Sequence, residues 1–313
     1  MSDVAVLVPT FRRPEMLARC LASIAGQDLF SVDSSDRVTV IVGDNNPDAS
    51  ACTQIAEMAA GYPCALRAIH VTEPGLCRNR NALFAEALAM RADYVVLIDD
   101  DEWAGTDWLS TLLGAMRQTG ADAMVGPVHT IFHPDAPEWF RRSGIGQSDA
   151  RNEALPTGSR SPKLASHNTI LKGEILTALE PPWFPLELNF LGAEDQAFFW
   201  RASAAGHDRI LWCAEAALTE EMPLARSDRR YFIDRSLQRG TSAVIAAKII
   251  NPLLPAGRAR HPLRITLKEM LRLVAGLPML LLPTRRSRYI RHAIYVAGRL
   301  QAHLGHQRNF YGS

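Results

Sequence analysis

Short runs of apolar residues alternate with helix-like stretches over the first hundred residues of the chain. Uninterrupted apolar runs rich in β-branched residues are typical of strands buried on both faces of a sheet. The segments between them space apolar residues at helical intervals, as Leu17, Leu21 and Ile24 do before Gly26. The pattern predicts strands at 4–8, 38–42, 66–71 and 94–98, and helices from Pro14 to Gly26, over about 49–60 and over about 80–90.

Strands that alternate with helices predict an α/β fold with a mostly parallel sheet and helices on both faces. In such sheets ligands bind beyond the carboxyl ends of the strands. We therefore expect four polar clusters that follow these strands to converge in one crevice, namely residues 9–12, 44–45, 73–81 and 99–102.

The pattern loosens after residue 103. It predicts a helix over 106–117, a strand over 123–132 and a long loop over 133–165 that is rich in Pro, Gly, Ser and Arg. A strand over 168–171 follows, and then an irregular apolar segment over 181–185 that can line a substrate cleft. The next predicted helix opens at 192–195 and ends at Gly206.

Four consecutive carboxylates, Asp99 to Glu102, follow the strand predicted at 94–98. Like charges at one strand end repel, and hard divalent ions prefer carboxylate oxygen. We favour a metal or phosphate-handling site here over an acidic loop that only caps the next helix. Glu194 and Asp195 form a second acidic pair, which either suits the helix dipole or supplies a catalytic carboxylate.

Charge divides the chain into an acidic body and a basic tail. Residues 1–225 hold 17 Lys and Arg against 30 Asp and Glu, and residues 226–313 hold 17 against 3, so the balances of −13 and +14 give the net charge of +1. We expect a catalytic domain over 1–225 and a basic helical region over 226–313.

The tail carries an apolar stretch, 273–283, between clusters of Arg and Lys. This arrangement suits an interfacial helix on anionic lipid, which we favour over a helical subdomain packed on the body. Nucleic-acid binding is disfavoured because the tail has few aromatic residues and no groove-reading motif. Five unpatterned cysteines, no signal-like N-terminus and no apolar run of about 20 residues predict a cytoplasmic protein, peripheral on the inner face of the cell membrane.

Five motifs in order along residues 4–240 resemble the inverting glycosyltransferases of family 2, with their GT-A fold. They are Val-Pro-Thr-Phe-Arg-Arg-Pro at 8–14, Gly-Asp-Asn at 43–45, Pro-Gly-Leu at 74–76 with Arg80-Asn81, Leu-Ile-Asp-Asp-Asp-Glu at 97–102 and Gly-Ala-Glu-Asp at 192–195. With Glu-x-x-Pro-x-x-Arg around 221–226, the chain is most similar to the succinoglycan-type exopolysaccharide transferases.

The resemblance implies a role for each matching residue. The implied nucleotide-sugar contacts are Pro9, Thr10, Arg12, Asp44, Arg80, Asp99 and Asp100. The family's Asp-x-Asp corresponds to Asp99 and Asp101, with Asp101 as the direct ligand of Mn²⁺ or Mg²⁺. Asp195, or alternatively Glu194, is the implied general base. Where many members have a further metal-binding His, this chain has Glu220 and Glu221.

The implied activity is transfer of a hexose, with glucose as the first candidate, from a UDP-sugar to a hydroxyl of a lipid-linked or other glycan acceptor, such as a polyprenyl-diphosphate-linked oligosaccharide. A non-catalytic nucleotide-binding or scaffolding protein of a membrane polysaccharide complex is the alternative. A phosphatase or phosphomutase is disfavoured because the Asp-x-Asp follows the fourth strand and Trp103 stands where Thr or Val is usual.

Overall fold

The computed structural model describes residues 1–31, 35–146, 152, 154–254, 257, 259 and 261–306. The strands are β1 Asp3–Thr10, β2 Arg37–Asp44, β3 Ala65–His70, β4 Tyr94–Leu97, β5 Glu102–Ala104, β6 Ala123–Val125, β7 Val128–Phe132, β8 Thr169–Lys172, β9 Ile210–Trp212 and β10 Leu218–Met222. The α-helices are α1 Pro14–Ala25, α2 Ser50–Met58, α3 Leu76–Ala89, α4 Trp108–Thr119, α5 Glu138–Arg141, α6 Glu174–Ala178, α7 Glu194–Ala204, α8 Arg229–Ile250, α9 Pro262–Ala275 and α10 Pro283–His303. Short 3-10 helices span Asp28–Phe30, Ala59–Gly61, Leu186–Leu188, Leu224–Arg226, Asn251–Leu253 and Leu277–Leu281.

The predicted α/β class is confirmed by a seven-stranded sheet in the order β3-β2-β1-β4-β8-β6-β9. β1 pairs in parallel with β2 and β4, and β8 is antiparallel to both β4 and β6. Each residue of the apolar run 4–8 in β1 is fully buried, because helices cover both faces of a parallel sheet. The strand ends of the first half of the chain therefore lie at one edge.

The strand predicted over 123–132 is wrong as a single element. β6 ends at Val125 and belongs to the large sheet, whereas β7 begins at Val128 and joins a second sheet in the order β5-β10-β7. Pro127 has no N–H to donate, and at Gly126 an added Cβ would lie 2.2 Å from the carbonyl oxygen of Ala216. The loop predicted over 133–165 contains α5, and its residues 147–151 and 153 lie outside the described part of the chain.

By the contacts between residues, the chain divides into two compact units. Unit 1 comprises Met1–His129, Asp149–Phe184 and Ala205–Glu220, and unit 2 comprises Thr130–Ser148, Pro185–Ala204 and Glu221–Ser313. Each unit is made of three separate ranges of the chain, so this division does not test a single boundary. The domain boundary after residue 225 stays a prediction.

Within unit 2 the long helices α8 and α10 pack closely together. An added Cβ at Gly240 would lie 2.0 Å from the carbonyl oxygen of Tyr295, and one at Gly298 would lie 2.2 Å from that of Leu237. Larger residues at these two glycines would force the helices apart. None of the helices in the described ranges is both long and apolar enough to cross a membrane.

Asn168 holds three parts of unit 1 together just before β8. Its Oδ1 accepts from Trp108 Nε1 at 2.8 Å, and its Nδ2 donates to the carbonyl oxygens of Pro127 at 2.6 Å and Ala216 at 2.8 Å. The residue is fully buried with φ at +45°, a conformation that Asn tolerates better than most residues.

We expect Asn168→Ala to lower the free energy of unfolding by about 3 kcal/mol, because three buried polar groups lose their partner and Ala is strained at positive φ. Urea unfolding followed by circular dichroism measures this change. Gln118→Ala, at an exposed position of α4, is the matched control and should have little effect. A loss of stability no larger than that of the control would contradict the role assigned to Asn168.

Candidate active site

Hydrogen bonds join the four strand ends of unit 1, as the sequence predicted. Thr10 Oγ1 donates to Asp100 Oδ2 at 2.7 Å, which links β1 to the acidic run. Asn79 Nδ2 on α3 donates to the carbonyl oxygen of Gly43 at 2.7 Å. The adjacent Arg80 donates from Nη2 to Asp99 Oδ1 at 3.1 Å. The predicted convergence of the four polar clusters is therefore confirmed, and their forming a binding crevice stays a prediction.

Arg13 holds two of the four clustered carboxylates. Its Nη1 lies 2.9 Å from Asp100 Oδ1 and 2.7 Å from Asp101 Oδ2. Burial raises the pKa of Asp100 to about 6, although the charge of Arg13 and the hydrogen bond from Thr10 act in the opposite direction. Arg13 was not among the predicted site residues, although it lies in the motif at 8–14.

Arg12, the other member of that pair, shapes the loop after β1. It has φ at +54°, its backbone N–H donates to the Asn46 side chain, and its guanidinium lies 5.0 Å from the centre of the Phe11 ring. Arg12 is exposed, whereas Pro9 and Thr10 are buried at the end of β1. Their predicted contacts with a nucleotide stay predictions.

Glu102 and His167 form a pair that the sequence analysis missed. Glu102 is buried, its Oε1 lies 2.8 Å from His167 Nδ1, and its Oε2 accepts from the backbone N–H of Asp99 at 3.0 Å. Burial raises the pKa of Glu102 against the opposing effect of His167. Burial lowers the pKa of His167, but the Glu102 carboxylate outweighs it and raises that pKa above its ordinary value.

Asp99, Glu102 and His167 offer the ligand set of a divalent cation. One ligand atom from each lies within 4.8 Å of the other two. The two carboxylates suit Mn²⁺ or Mg²⁺, and a set of three protein ligands leaves positions for other oxygen ligands. The structure thus brings the predicted ligand Asp99 into this set. Asp101 pairs with Arg13, and its role as a metal ligand stays a prediction. Glu220, another residue considered as a ligand, lies opposite Glu102 in the register of the antiparallel strands β10 and β5.

A second cluster, Asp122, Glu174 and His207, has similar ligand spacing. Here Lys172 Nζ lies 3.4 Å from Asp122 Oδ1 and 3.4 Å from Glu174 Oε1. The lysine therefore supplies positive charge to both carboxylates of this cluster.

Asp44 and Asn45 organise the loop after β2. Asp44 is fully buried, and its two oxygens accept from the backbone N–H groups of Asn46 and Cys52, both at 2.9 Å. Asn45 accepts from the N–H of Gly75 at 2.8 Å and so ties this loop to the start of α3. The predicted contact of Asp44 with a nucleotide base stays a prediction, and the carboxylate has a structural role in any case.

The apolar segment at 181–185 is fixed to α3 by a pair of hydrogen bonds. Asn81 Nδ2 donates to the carbonyl oxygen of Phe184 at 2.8 Å, and Asn81 Oδ1 accepts from the Phe184 N–H at 3.0 Å. The guanidinium of Arg80 lies 5.8 Å from the centre of the Phe184 ring. The buried Arg80 is therefore oriented by its pairing with Asp99 and by this ring.

In unit 2, Glu194 and Asp195 occupy the first turn of α7. Glu194 is buried and Asp195 is partly exposed. Gln238 on α8 supports the turn before them: its Nε2 donates to the carbonyl oxygen of Leu191 at 2.6 Å, and an added Cβ at Gly192 would lie 2.5 Å from the same nitrogen. Their predicted role in catalysis stays a prediction.

Comparison with known proteins agrees with this fold. The model of the family described as "Glycosyl transferase family 2" matches residues 5–171. Succinoglycan biosynthesis protein ExoM of Rhizobium meliloti (strain 1021) is 30% identical over 235 residues, which are 74% of this chain and 71% of that protein. Galactofuranosyltransferase GlfT1 of Mycolicibacterium smegmatis is 35% identical over 132 residues, which are 40% of this chain and 38% of that protein.

Solved structures share the fold at low sequence identity. Mannosyltransferase PcManGT from Pyrobaculum calidifontis, solved with GDP-Man and Mn²⁺, has a TM-score of 0.61 at 18% identity, over 97% of this chain and 88% of that one. TarS 1-349 of S. aureus with UDP has a TM-score of 0.53 at 16% identity, over 99% and 94%. The α/β sheet and its strand-end site define a nucleotide-sugar transferase fold of the GT-A type. The chain belongs to glycosyl transferase family 2.

Proposed function

We propose that the chain transfers a hexose from a UDP-sugar to a hydroxyl group of a glycan acceptor in bacterial polysaccharide synthesis, with inversion at the sugar carbon. The observation that carries the proposal is the convergence of four strand ends around Asp99 to Glu102 in a member of this family. The UDP complex of TarS supports UDP as the carrier, and the succinoglycan biosynthesis named for ExoM supports a role in polysaccharide synthesis. Glucose is the first sugar to test.

The proposed donor site occupies the strand ends of unit 1. Transfer leaves negative charge on the departing diphosphate, and cationic groups near that position favour its departure. Arg80, together with the loop at 9–12, supplies such groups. Asp44 and Asn45 shape the loop that faces the base, and Asp99 and Asp100 line the path of the sugar and diphosphate.

A divalent ion belongs to this proposal, with Asp99, Glu102 and His167 as the residues that hold it. When bound, such an ion neutralises charge on the phosphate oxygens of the donor. The Mn²⁺ in PcManGT supports metal use by this fold. Arg13 keeps Asp101 beside these three residues. If Asp101 is instead a direct ligand, as the resemblance implies, its replacement should weaken binding of the ion.

Asp195 is the proposed general base, with Glu194 as its buried neighbour. An attacking hydroxyl must lose its proton to a base, and Asp195 is the more exposed of the two carboxylates and so the more open to an incoming acceptor. Glu194 then serves the first turn of α7, where its charge suits the helix dipole.

The acceptor and the location complete the proposal. A polyprenyl-diphosphate-linked oligosaccharide is the proposed acceptor, and the basic region 226–313 is proposed to keep the protein on the inner face of the cell membrane. The excess of 17 basic over 3 acidic residues in that region supports attraction to anionic lipid.

We expect Asp195→Asn to lower kcat by a factor of about 100 to 10,000, because the base is lost while the donor site is intact. Glu194→Gln should retain most of the activity. The measurement is UDP release from UDP-glucose, with simple alkyl glycosides as acceptors and hydrolysis without acceptor subtracted. Loss of activity in Glu194→Gln with normal turnover in Asp195→Asn would reverse the assignment. Binding of UDP-glucose by the wild type without any release of UDP would favour the non-catalytic alternative.

We expect His167→Ala to weaken Mn²⁺ binding about tenfold or more, because one of three ligands is removed. Electron paramagnetic resonance of free Mn²⁺ measures this affinity without reference to activity. His207→Ala, from the cluster that contains Lys172, is the control and should bind normally. Loss of Mn²⁺ binding in Asp101→Asn, with normal binding in His167→Ala, would assign the ion to Asp99 and Asp101 instead.

A further inference from the structure

Helix α9 in unit 2 turns its apolar side to solvent. Leu263, Leu267, Met270, Leu271 and Val274 recur at helical spacing and so share one side of the helix. They are 59%, 53%, 38%, 71% and 66% exposed, respectively. A helix of a globular protein normally buries such a stripe, so the exposure of this one on α9 calls for an explanation.

Polar contacts hold α9 in this orientation. Thr266 is fully buried, its Oγ1 accepts from Arg299 Nε on α10 at 3.0 Å, and it lies 3.0 Å from His303 Nε2. Arg299 also donates from Nη2 to the carbonyl oxygen of Pro262 at 3.2 Å. The edge of α9 that packs on α10 is therefore its polar one, and rotation of the helix would break these bonds.

The 3-10 turn Leu277–Leu281 extends the same apolar character beyond α9. Leu277 is 51% exposed and Leu281 is 81% exposed. The backbone of this part of the chain is nevertheless fixed, because Arg286 Nε donates to the carbonyl oxygen of Leu280 at 2.9 Å and Tyr289 OH donates to that of Leu273 at 3.2 Å. The exposed leucines are thus carried on an anchored segment.

Basic residues flank these apolar positions. Over residues 261–306 the sequence has eight Lys and Arg against one acidic residue, Glu269. Glu269 is itself paired with Arg272 at 2.6 Å. The cations beside the stripe on α9 and at the start of α10 are Arg264, Lys268, Arg272, Arg285, Arg286 and Arg288.

We propose that the outward side of α9 and the turn Leu277–Leu281, together called the docking face, insert into the headgroup region of an anionic bilayer. The apolar side chains would lie at the acyl boundary, and the flanking cations would meet lipid phosphates. This proposal rests on the proposed membrane attachment. It adds that the apolar residues of the docking face enter the bilayer, so that attachment does not depend on the charge of the basic region alone.

Charge favours a bilayer over a second copy of the chain as the occupant. In a two-fold contact, the same face meets itself, so the cationic flanks of both copies would be brought together. Like charges held close in this way oppose association. An anionic lipid surface covers the leucines and neutralises the flanks at once.

The test compares two leucine pairs in the full chain. The variant Leu267→Ser with Leu271→Ser removes apolar area from the docking face. Leu253→Ser with Leu304→Ser is the matched control, because those leucines are 59% and 76% exposed and lie outside the docking face. Flotation uses vesicles of phosphatidylcholine with phosphatidylglycerol, and vesicles of phosphatidylcholine alone.

We expect the wild type and the control pair to float with anionic vesicles and the docking-face pair to partition about tenfold more weakly. A fluorescence measurement locates the face independently of any loss of folding. Leu271→Trp should add emission that brominated lipids quench, whereas Leu253→Trp should add emission that they do not.

Equal flotation of both serine pairs, removed by high salt, would overturn insertion while leaving electrostatic attachment in place. Absence of quenching in Leu271→Trp would overturn it as well. A wild-type dimer in light scattering that the docking-face pair dissociates, with no flotation, would assign the face to self-association. UDP release with soluble alkyl glycosides tests the proposed catalysis separately, since neither serine pair touches the donor site.

Discussion

The structure of unit 1 depends on how four adjacent carboxylates are tolerated at the end of a buried strand. Asp99 to Glu102 begin where β4 leaves the sheet, and their mutual repulsion must be offset locally. Arg80 pairs with Asp99, Arg13 with Asp100 and Asp101, and His167 with Glu102. Each partner comes from a different part of the chain, so the acidic run fixes the relative positions of the loop after β1, helix α3 and the segment before β8.

This neutralisation also defines what the site can bind. Side-chain cations satisfy the carboxylates one by one, yet Asp99, Glu102 and His167 remain close enough to share an ion. In the proposed function, the donor would bring a divalent ion and a diphosphate, and the site carries both carboxylates and cationic side chains to face them. The buried Thr10 and Asn79 hold the neighbouring strand ends in place.

The sequence was informative where structure is local and less so where it depends on distant partners. Apolar runs located the strands from β1 to β4, and the polar residues after these strands located the cluster at their ends. The run at 123–132 misled because apolar character continues through Gly126 and Pro127, although the close approach of Ala216 there depends on residues far along the chain. The sequence around His167 shows only one histidine before an apolar strand. Its place in the site depends on the contact with Glu102, which lies 65 positions earlier in the chain. The outward orientation of α9 was likewise not visible, because an amphipathic pattern does not say which side faces the protein.

The central claim is that the acidic strand end binds the diphosphate of a nucleotide through a divalent ion. Calorimetric titration of UDP into the full chain, with Mn²⁺ and then with excess chelator, tests it most directly. We predict saturable binding with Mn²⁺ that weakens about tenfold or more in chelator, because bound ions often supply the largest local charge in such a site. Equal affinity for UDP in both conditions, or no binding of UDP in either, would contradict the account.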